Sequence, residues 1–306
     1  VMPRIPRLLI PDEPTIYHVM SRTALAGLPM GEVEKEYLVR LMQQFSRLYF
    51  AEIIGFCCRD NHFHLLVRMQ PQEQFSDEQI RLRHECFFGE KKRFSAGQLP
   101  YYRQKYSSLS EFIKELKQSF SRWYNKLNDR RGFFWSERFK SVIVENGETL
   151  INCLAYIDLN PVRAGIVQTP EQYRWSSLGY LVQGCNRDGF VSLDFGMREF
   201  GDMEDSERLR QYRQYVYETG AVAAGKGACI DPQVVSQQRH KGYQLSRAER
   251  FLYRSRYFTD SAVIGSRQFL QEQFQRFRKL LQAKTEREPK RVSGLAGVYS
   301  MKRLGA

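Results

Sequence analysis

The sequence of 306 residues predicts an α+β fold, in which helices pack against one antiparallel sheet. Three observations lead to this prediction. Short segments rich in β-branched and aromatic residues, such as 15–20, are typical of strands. Longer segments whose apolar residues recur at intervals of three and four, such as 109–127, are typical of amphipathic helices. Two strand-like segments, 51–58 and 62–69, are joined by the short turn 59–61, as in an antiparallel hairpin.

The predicted elements follow one another in a regular order. They are strand 15–20, helix 33–49, strands 51–58 and 62–69, helix 109–127, strand 139–144 and helix 148–159, with further strand material at 133–135. Pro161 is expected to end the last helix, because the residue before a proline is pushed out of the α region. The order β-α-β-β-α-β-α predicts a sheet of the ferredoxin or RRM type with the helices on one face.

The composition of the chain changes along its length and indicates four parts. They are a Pro-punctuated basic arm at 1–14, a main domain at 15–185, a slightly acidic linker region at 186–230 and a mainly helical basic extension at 231–306. Within the main domain, 70–106 is expected to be an inserted, partly mobile basic loop with a short helix near 75–90. In the extension, helices are expected near 246–257 and 266–282, either as a DNA-binding module or as a helical pair that packs on the main domain.

The formal net charge of +13 indicates a polyanionic partner, because basic side chains set against phosphates release condensed counterions. The surplus is concentrated in 91–145, where 13 Lys and Arg residues stand against 5 Asp and Glu residues and aromatic residues are interleaved. A membrane partner is not expected, since no apolar run approaches the ~20 residues needed to span a bilayer. No GxxxxGK[ST] pattern occurs, so a nucleotide cofactor is not expected either.

The six cysteines show no CxxC spacing and are expected to be reduced thiols of a cytoplasmic protein. The N-terminal residues lack the long apolar core and the cleavage site of a signal peptide.

A candidate metal site lies in the strand 62–69. Successive side chains of a strand point to opposite faces, so His62 and His64 are expected on one face and Phe63 and Leu65 on the other. Two imidazoles on one face are a pair of potential metal ligands. A histidine pair of this kind also occurs as ordinary polar surface or core, so the metal interpretation depends on further ligands elsewhere in the chain.

Further candidates lie on the helix predicted at 148–159 and just beyond it. Asn152, Tyr156 and Asn160 are spaced by four and share one face, opposite an apolar stripe. If this helix packs on the sheet, Asn160 offers an amide oxygen to a cation held by the two histidines, with Tyr156 one turn away. Two imidazoles and one oxygen leave positions open for water and phosphate oxygens, which suits magnesium or manganese better than structural zinc.

A tyrosine beside such a metal can act on a phosphodiester. The ordinary pKa of tyrosine is ~10, so the phenol is a poor nucleophile without assistance. A cation that polarises the scissile phosphate makes the attack feasible. The product is a covalent phosphotyrosine, which conserves bond energy for later rejoining of the strand.

These residues resemble a known family. The match consists of His62-Phe63-His64, then about ninety residues later Tyr156-Ile157-Asp158-Leu159-Asn160-Pro161-Val162-Arg163-Ala164-Gly165, with supporting stretches at 17–22, 132–141 and 173–177. In this order they closely resemble the single-tyrosine HUH transposases, and most of all the branch of REP-associated tyrosine transposases. The resemblance covers 15–180, whereas the insertion 70–106 and the residues 186–306 depart from the compact family core.

The resemblance implies a set of roles and partners. His62 and His64 would be metal ligands, Asn160 a further ligand and Tyr156 the nucleophile, with Mg or Mn as the divalent cofactor. The substrate would be single-stranded DNA, cut beside hairpins of REP-type palindromes to leave a 5′-phosphotyrosine. The family implies a bacterial, nucleoid-associated enzyme that works as a monomer or as a homodimer.

Charge and position predict roles for further residues. Phosphate contacts are expected from Arg138, Lys140 and Arg163, and the arm residues Arg4 and Arg7 are expected to read a short flanking sequence. Among other tyrosines, Tyr124 is the main rival nucleophile but is expected to pack in a helix face, and those at 101, 102 and 106 are expected to stack on unpaired bases. His18 is expected to be a structural histidine close to the site.

Two alternatives to the transposase hypothesis remain open in the sequence. One is an RRM-like nucleic-acid-binding protein without catalysis, although its usual aromatic pattern is not visible. The other is a metal-dependent hydrolase with water as nucleophile, for which Asp60 and Asp158 are the available carboxylates.

Overall fold

The computed structural model describes residues 8–89, 92–184, 186, 188–193, 203–222, 227–246, 264–277, 289–291 and 299–300. Arg4 and Arg7, and nearly all of the helix predicted at 246–257, lie outside the described residues. Within these ranges no helix is long and apolar enough to cross a membrane.

Four strands form the central sheet. They are β1 (Thr15–Arg22), β2 (Ala51–Cys58), β3 (His62–Met69) and β4 (Lys140–Val144), in the spatial order β2-β3-β1-β4. All three neighbouring pairs are antiparallel. This order is that of the split β-α-β fold, so the predicted α+β class with an antiparallel sheet is confirmed.

Helices cover both faces of this sheet, which differs from the expected single covered face. On one face Phe63 contacts Trp135, which in turn contacts Phe120 of α4 (Leu109–Leu127), at ring distances of 5.3 and 5.4 Å. Helix α1 (Glu32–Leu48) packs beside α4. On the other face lies α5 (Glu148–Arg163), whose Leu154 approaches β2. The physical reason is that the side chains on both faces of β3 are buried from 63 to 69, so both faces need apolar cover.

Helix α5 continues through Pro161 to Arg163, so the prediction that Pro161 ends it is wrong. A proline removes only its own backbone donor, and Pro161 stands in the last turn of the helix. Pro161 and Val162 are both buried, and their packing favours one more helical turn. The helix then ends at Ala164, whose N–H donates to the carbonyl of Asn160 at 3.2 Å.

The described residues of the insertion at 70–106 contain more helix than the sequence predicts. It contains the expected helix as α2 (Asp77–Phe88), which begins with a capping box between Ser76 and Gln79, and an unexpected helix α3 (Leu99–Tyr106). Tyr102 and Tyr106 are 1% exposed, so they are core residues and the prediction that they stack on bases is wrong. The signal was present in their spacing of four, which places both on one face of a helix.

The chain beyond the sheet adds further helices. They are α6 (Ser177–Gly184), α7 (Asp205–Ala221), α8 (Pro232–His240) and α9 (Arg267–Phe277), with a small three-stranded sheet formed by Ile264–Gly265, Lys290–Arg291 and Tyr299–Ser300. The segment 186–230, expected as a linker, contains α7, which packs against α5. There the Tyr212 hydroxyl donates to the buried Asp158 carboxylate at 2.7 Å. Part of this segment therefore belongs to the core around α5.

Helix α6 meets the preceding chain at Gly179, where a side chain has no room. A Cβ placed there would lie 1.8 Å from the carbonyl oxygen of Tyr173. We expect Gly179→Ala to lower the free energy of unfolding by about 1–3 kcal/mol, because the obstacle is backbone and cannot rotate away. Gly184→Ala, in the same helix with nothing near its Cβ position, is the matched control and should not destabilise the protein. Urea denaturation of both variants measures the difference, and equal midpoints would contradict the packing described here.

Candidate active site

The two histidines of β3 lie on one face of the sheet, as their spacing predicts. Their ring centroids are 5.1 Å apart and the rings are nearly perpendicular, at 82°. The turn before β3 is closed by a hydrogen bond from the Arg59 N–H to the carbonyl of His62 at 2.8 Å. This turn fixes the first histidine at the very start of the strand, and the strand itself places the second.

Hydrogen bonds to Nδ1 determine which ring nitrogens can act as ligands. Nδ1 of His62 lies 2.6 Å from Oδ1 of Asn61. Because that oxygen can only accept, Nδ1 carries the proton and Nε2 of His62 carries the lone pair. Nδ1 of His64 lies 3.0 Å from Nε2 of His18, and Nε2 of His64 lies 3.5 Å from Nδ2 of Asn160. The amide N–H of Asn160 favours a lone pair on Nε2 of His64 as well.

Burial keeps all three imidazoles neutral. It lowers the pKa of His62 to about 4 and that of His64 to about 3, with smaller contributions from neighbouring positive charges, including Arg59. Burial likewise lowers the pKa of His18 to about 4. Near pH 7 these rings therefore present lone pairs and do not repel a cation.

Tyr156 projects from α5 beside the histidines. Its side chain is 47% exposed, and its ring lies 5.8 Å from that of His64 and 6.1 Å from that of His18. The opposite side of α5 is anchored by Leu154 and Ile157, which are fully buried. The helix thus holds a solvent-accessible phenol against a pair of neutral imidazoles.

Asn160 lies one turn after Tyr156, but its oxygen is already engaged. Arg59 donates to Oδ1 of Asn160 at 2.5 Å and to the Asn160 carbonyl at 3.1 Å. This contact turns the amide nitrogen, and not the oxygen, toward His64. An amide oxygen has two lone pairs, so it can accept from Arg59 and still bind a cation. Sequence spacing does not point to Arg59, because its contact with Asn160 spans 101 residues.

His18 is part of the site, where the sequence indicated only a nearby structural residue. Its ring stacks on that of His64, with centroids 5.2 Å apart, and it is hydrogen-bonded to the same ring. The register of β1 against β3 puts His18 opposite Leu66 and Met20 opposite His64. That register could not be read from the sequence, since about forty residues separate the two strands.

The other candidates are placed elsewhere. Tyr124 is 8% exposed and packs against Phe134 at 4.5 Å, as expected for a core residue. Asp158 is fully buried and accepts hydrogen bonds from Ser177, Tyr212 and the Leu178 N–H. Asp60 pairs with Lys35 at 2.5 Å. In the described part of the chain, no group of three or more His, Cys, Asp or Glu side chains could hold a metal ion.

The three described residues that are predicted to contact phosphates lie on different elements. Arg138 and Lys140 are exposed on either side of the buried Phe139. Lys140 pairs with Met20, which in turn pairs with His64, so the three lie in one row across the sheet. Arg163 is partly buried at the end of α5, one turn beyond Asn160.

The candidate site is formed by a histidine pair on one face of a four-stranded antiparallel sheet and by an exposed tyrosine on the helix that packs on that face. No protein-family model and no curated protein matches the sequence. A solved structure of a REP-associated tyrosine transposase bound to a REP hairpin is similar to 63% of this chain and 90% of that chain, with 14% identity and a TM-score of 0.41. A likeness at this level establishes neither a family nor an activity for this chain.

Proposed function

We propose that the chain is a metal-dependent endonuclease and strand transferase that cuts single-stranded DNA beside hairpins of the REP type. In this proposal the chain is a single-tyrosine HUH transposase, the family that its motifs resemble. One observation carries the proposal: the exposed phenol of Tyr156 lies against two neutral imidazoles, those of His64 and His18, with His62 beside them.

The proposed cofactor is Mg or Mn. The residues that would hold it are His62 and His64 through Nε2, with the amide oxygen of Asn160 as a third ligand. The neutral state of both imidazoles and the lone pair on Nε2 of His62 fit such an ion. Nε2 of His64 faces the amide nitrogen of Asn160, so that amide would have to turn before His64 and the Asn160 oxygen could bind the ion together. When bound, a divalent cation polarises the phosphate and offsets the charge that develops during transfer.

Tyr156 is the proposed nucleophile. Its phenol oxygen forms a bond to phosphorus, the bond between phosphorus and the 3′ oxygen breaks, and the phenol proton is lost while the 3′ oxygen leaves as a hydroxyl. The DNA 5′ end stays covalently attached to the protein, which retains the energy for rejoining. His18 is a positioning residue in this scheme, because its bond to Nδ1 orients the ring of His64.

The DNA contacts are proposed from charge and position. Lys140 shares a row of the sheet with His64, and Arg163 follows Asn160 on α5, so both can meet phosphates next to the scissile bond. Arg138 extends the basic surface away from the site. Arg4 and Arg7 are proposed to read the bases that flank the hairpin.

A nucleic-acid-binding protein without catalysis is the second candidate. It is favoured by the contact between Arg59 and Oδ1 of Asn160, because this contact turns the amide nitrogen, and not the oxygen, toward His64. Such a protein would bind hairpins equally well with and without divalent cations, apart from screening.

The deciding experiment incubates the protein with a labelled pool of single-stranded hairpins and manganese, and separates the products on a denaturing gel. We expect a shifted band of protein joined to DNA that is absent when EDTA is added, because the attack needs the cation. Hydrolysis without a joined species would instead indicate water as the nucleophile. Tight binding with no cleavage in magnesium or manganese would favour the second candidate.

A further inference from the structure

A broad groove lies between α4 and the loop 132–139, outside the candidate active site. Its volume is about 910 Å³, within the range of roughly 300–1,000 Å³ typical of ligand pockets. The floor is formed by Phe134 and Trp135, and the walls by side chains of α4 such as Gln118 and Asn125. We call it the α4 groove.

Phe133 stands at the edge of the α4 groove and is 88% exposed. The two residues that follow it, Phe134 and Trp135, are 0% and 8% exposed. Scattered exposed apolar side chains are common in proteins and need no explanation. This one is different because it borders a groove of ligand size and its backbone is held in place.

Hydrogen bonds fix the loop on both sides of Phe133. Before it, Asn125 of α4 donates to the carbonyl of Gly132 at 2.9 Å, and Gly132 adopts a φ of 96°, which favours glycine. After it, the Phe134 carbonyl accepts from the hydroxyl of Thr23 at 2.8 Å and from the Ala24 N–H at 2.7 Å. A ring on such a fixed loop is presented to solvent at little entropic cost on binding.

Among the charged residues that line the groove, basic residues outnumber acidic ones. Four basic residues and two acidic residues line it: Lys114, Lys117, Arg122, Arg138, Glu111 and Glu137. Lys114 pairs with Glu111 at 3.1 Å, and Lys117 donates to the Glu137 carbonyl at 2.7 Å. The guanidinium groups of Arg122 and Arg138 extend the positive charge along the groove. Positive charge around an exposed ring matches a strand of phosphates and bases.

The α4 groove is connected to the candidate active site through β1. The Ser136 N–H donates to the carbonyl of Arg22 at 3.0 Å, and Arg22 is the strand partner of His62. On the other side, Arg138 lines the groove, and Lys140 two residues later lies in the row of His64. The groove lies on the face of the sheet that α4 covers, and the histidines lie on the opposite face. A single strand that leaves the groove would therefore pass around the edge strand β4, beside Arg138 and Lys140, to approach the histidines.

From these contacts we infer that the α4 groove binds an unpaired stretch of the DNA strand, with one base stacked on Phe133. The inference rests on the proposed function for the identity of the polymer, and it adds a base-binding site away from the reacting phosphate. A duplex does not satisfy this site, because its bases are already stacked on one another.

The test is a binding titration of fluorescein-labelled dT12 in the presence of EDTA, so that no cleavage enters the measurement. Stacking of one base on an aromatic ring contributes about 1–3 kcal/mol, which corresponds to a loss of affinity of about 5- to 150-fold for Phe133→Ala. Phe133→Trp should retain the affinity, and its added indole fluorescence should be quenched by dT12. Phe269→Ala, the same change at an exposed position of α9, should bind as the wild type does.

An abasic oligomer of the same length separates stacking from charge. Because it keeps the phosphates and lacks the bases, Phe133→Ala should bind it as the wild type does. An equal loss of affinity for the abasic oligomer, or no loss for dT12, would overturn the inference. Tighter binding of the matching RNA, with the same dependence on Phe133, would overturn the choice of DNA.

A failure of the inference about the α4 groove can be distinguished from a failure of the proposed function. If Phe133→Ala weakens dT12 binding but no covalent adduct ever forms with wild type, the groove stands and the catalytic proposal fails. If the adduct forms and Phe133→Ala leaves dT12 binding unchanged, only the inference about the α4 groove is wrong. Thermal melting of the variant checks the fold, which the loss of an exposed ring should leave intact.

Discussion

Replacement of Tyr156 by phenylalanine is expected to abolish the covalent adduct between protein and hairpin DNA, by at least about a thousand-fold. The change removes only the hydroxyl, and the ring keeps its contacts with His64 and His18 at 5.8 and 6.1 Å. Binding of the hairpin should stay within a few-fold of wild type, since phosphate contacts come from other side chains. The measurement is a denaturing gel with labelled hairpin and manganese, together with a titration of the same hairpin in EDTA.

Tyr124→Phe is the matched control for this experiment. Tyr124 is the main rival nucleophile that the sequence offers, and in the structure it lies on α4, buried against Phe134. This variant should form the adduct at a rate close to that of wild type. If Tyr156→Phe still forms the adduct and Tyr124→Phe does not, the assignment of the nucleophile is wrong. Matching thermal melting curves are required of both variants, so that loss of fold is not mistaken for loss of chemistry.

The elements that the sequence predicts correctly are those whose signals are local. β2, β3 and α4 have the predicted bounds, because each has a clear period and ends at polar or turn residues such as Asp60 and Asn128. Helix α3 was missed because its basic residues made the segment resemble a loop. The end of α5 was misplaced because packing of Val162 outweighs the preference of a residue before proline.

The candidate site shows the same division between local and long-range signals. The shared face of His62 and His64 and the position of Tyr156 follow from strand and helix periods alone. The contacts of His18 with His64 and of Arg59 with Asn160 depend on strand register and helix placement, across 46 and 101 residues. Such pairs are set by the fold as a whole, and no spacing in a single sequence reports them.

The segment after 185 contains a buried arginine, although its composition predicts a linker region. Arg213 of α7 is 1% exposed, and its Nε donates to the carboxylate of Glu171 at 2.7 Å, which is fully buried. Its other nitrogens donate to the Tyr243 carbonyl and to Oε1 of Gln238, the latter at 3.2 Å. The hydroxyl of Tyr217 donates to the second oxygen of Glu171 at 2.9 Å. This buried ion pair joins α7 and α8 to the main domain.

Arg213→Ala is expected to lower the free energy of unfolding by about 3–5 kcal/mol. The carboxylate of Glu171 would remain buried without its cationic partner, whereas the pair of Arg210 and Glu207 on the same helix is partly exposed to solvent. Urea denaturation followed by circular dichroism measures the change. Arg210→Ala is the matched control and should leave the unfolding midpoint unchanged, because its charges are solvated.

A double variant shows whether the loss comes from the stranded charge. In Glu171→Gln with Arg213→Met no lone ion is left in the core, so the protein should recover a large part of the stability that Arg213→Ala loses. If Arg213→Ala unfolds at the same urea concentration as Arg210→Ala, the ion pair does not hold α7 to the main domain. If the double variant is as unstable as Arg213→Ala, the hydrogen bonds of Arg213 to Tyr243 and Gln238 contribute more to stability than its charge does.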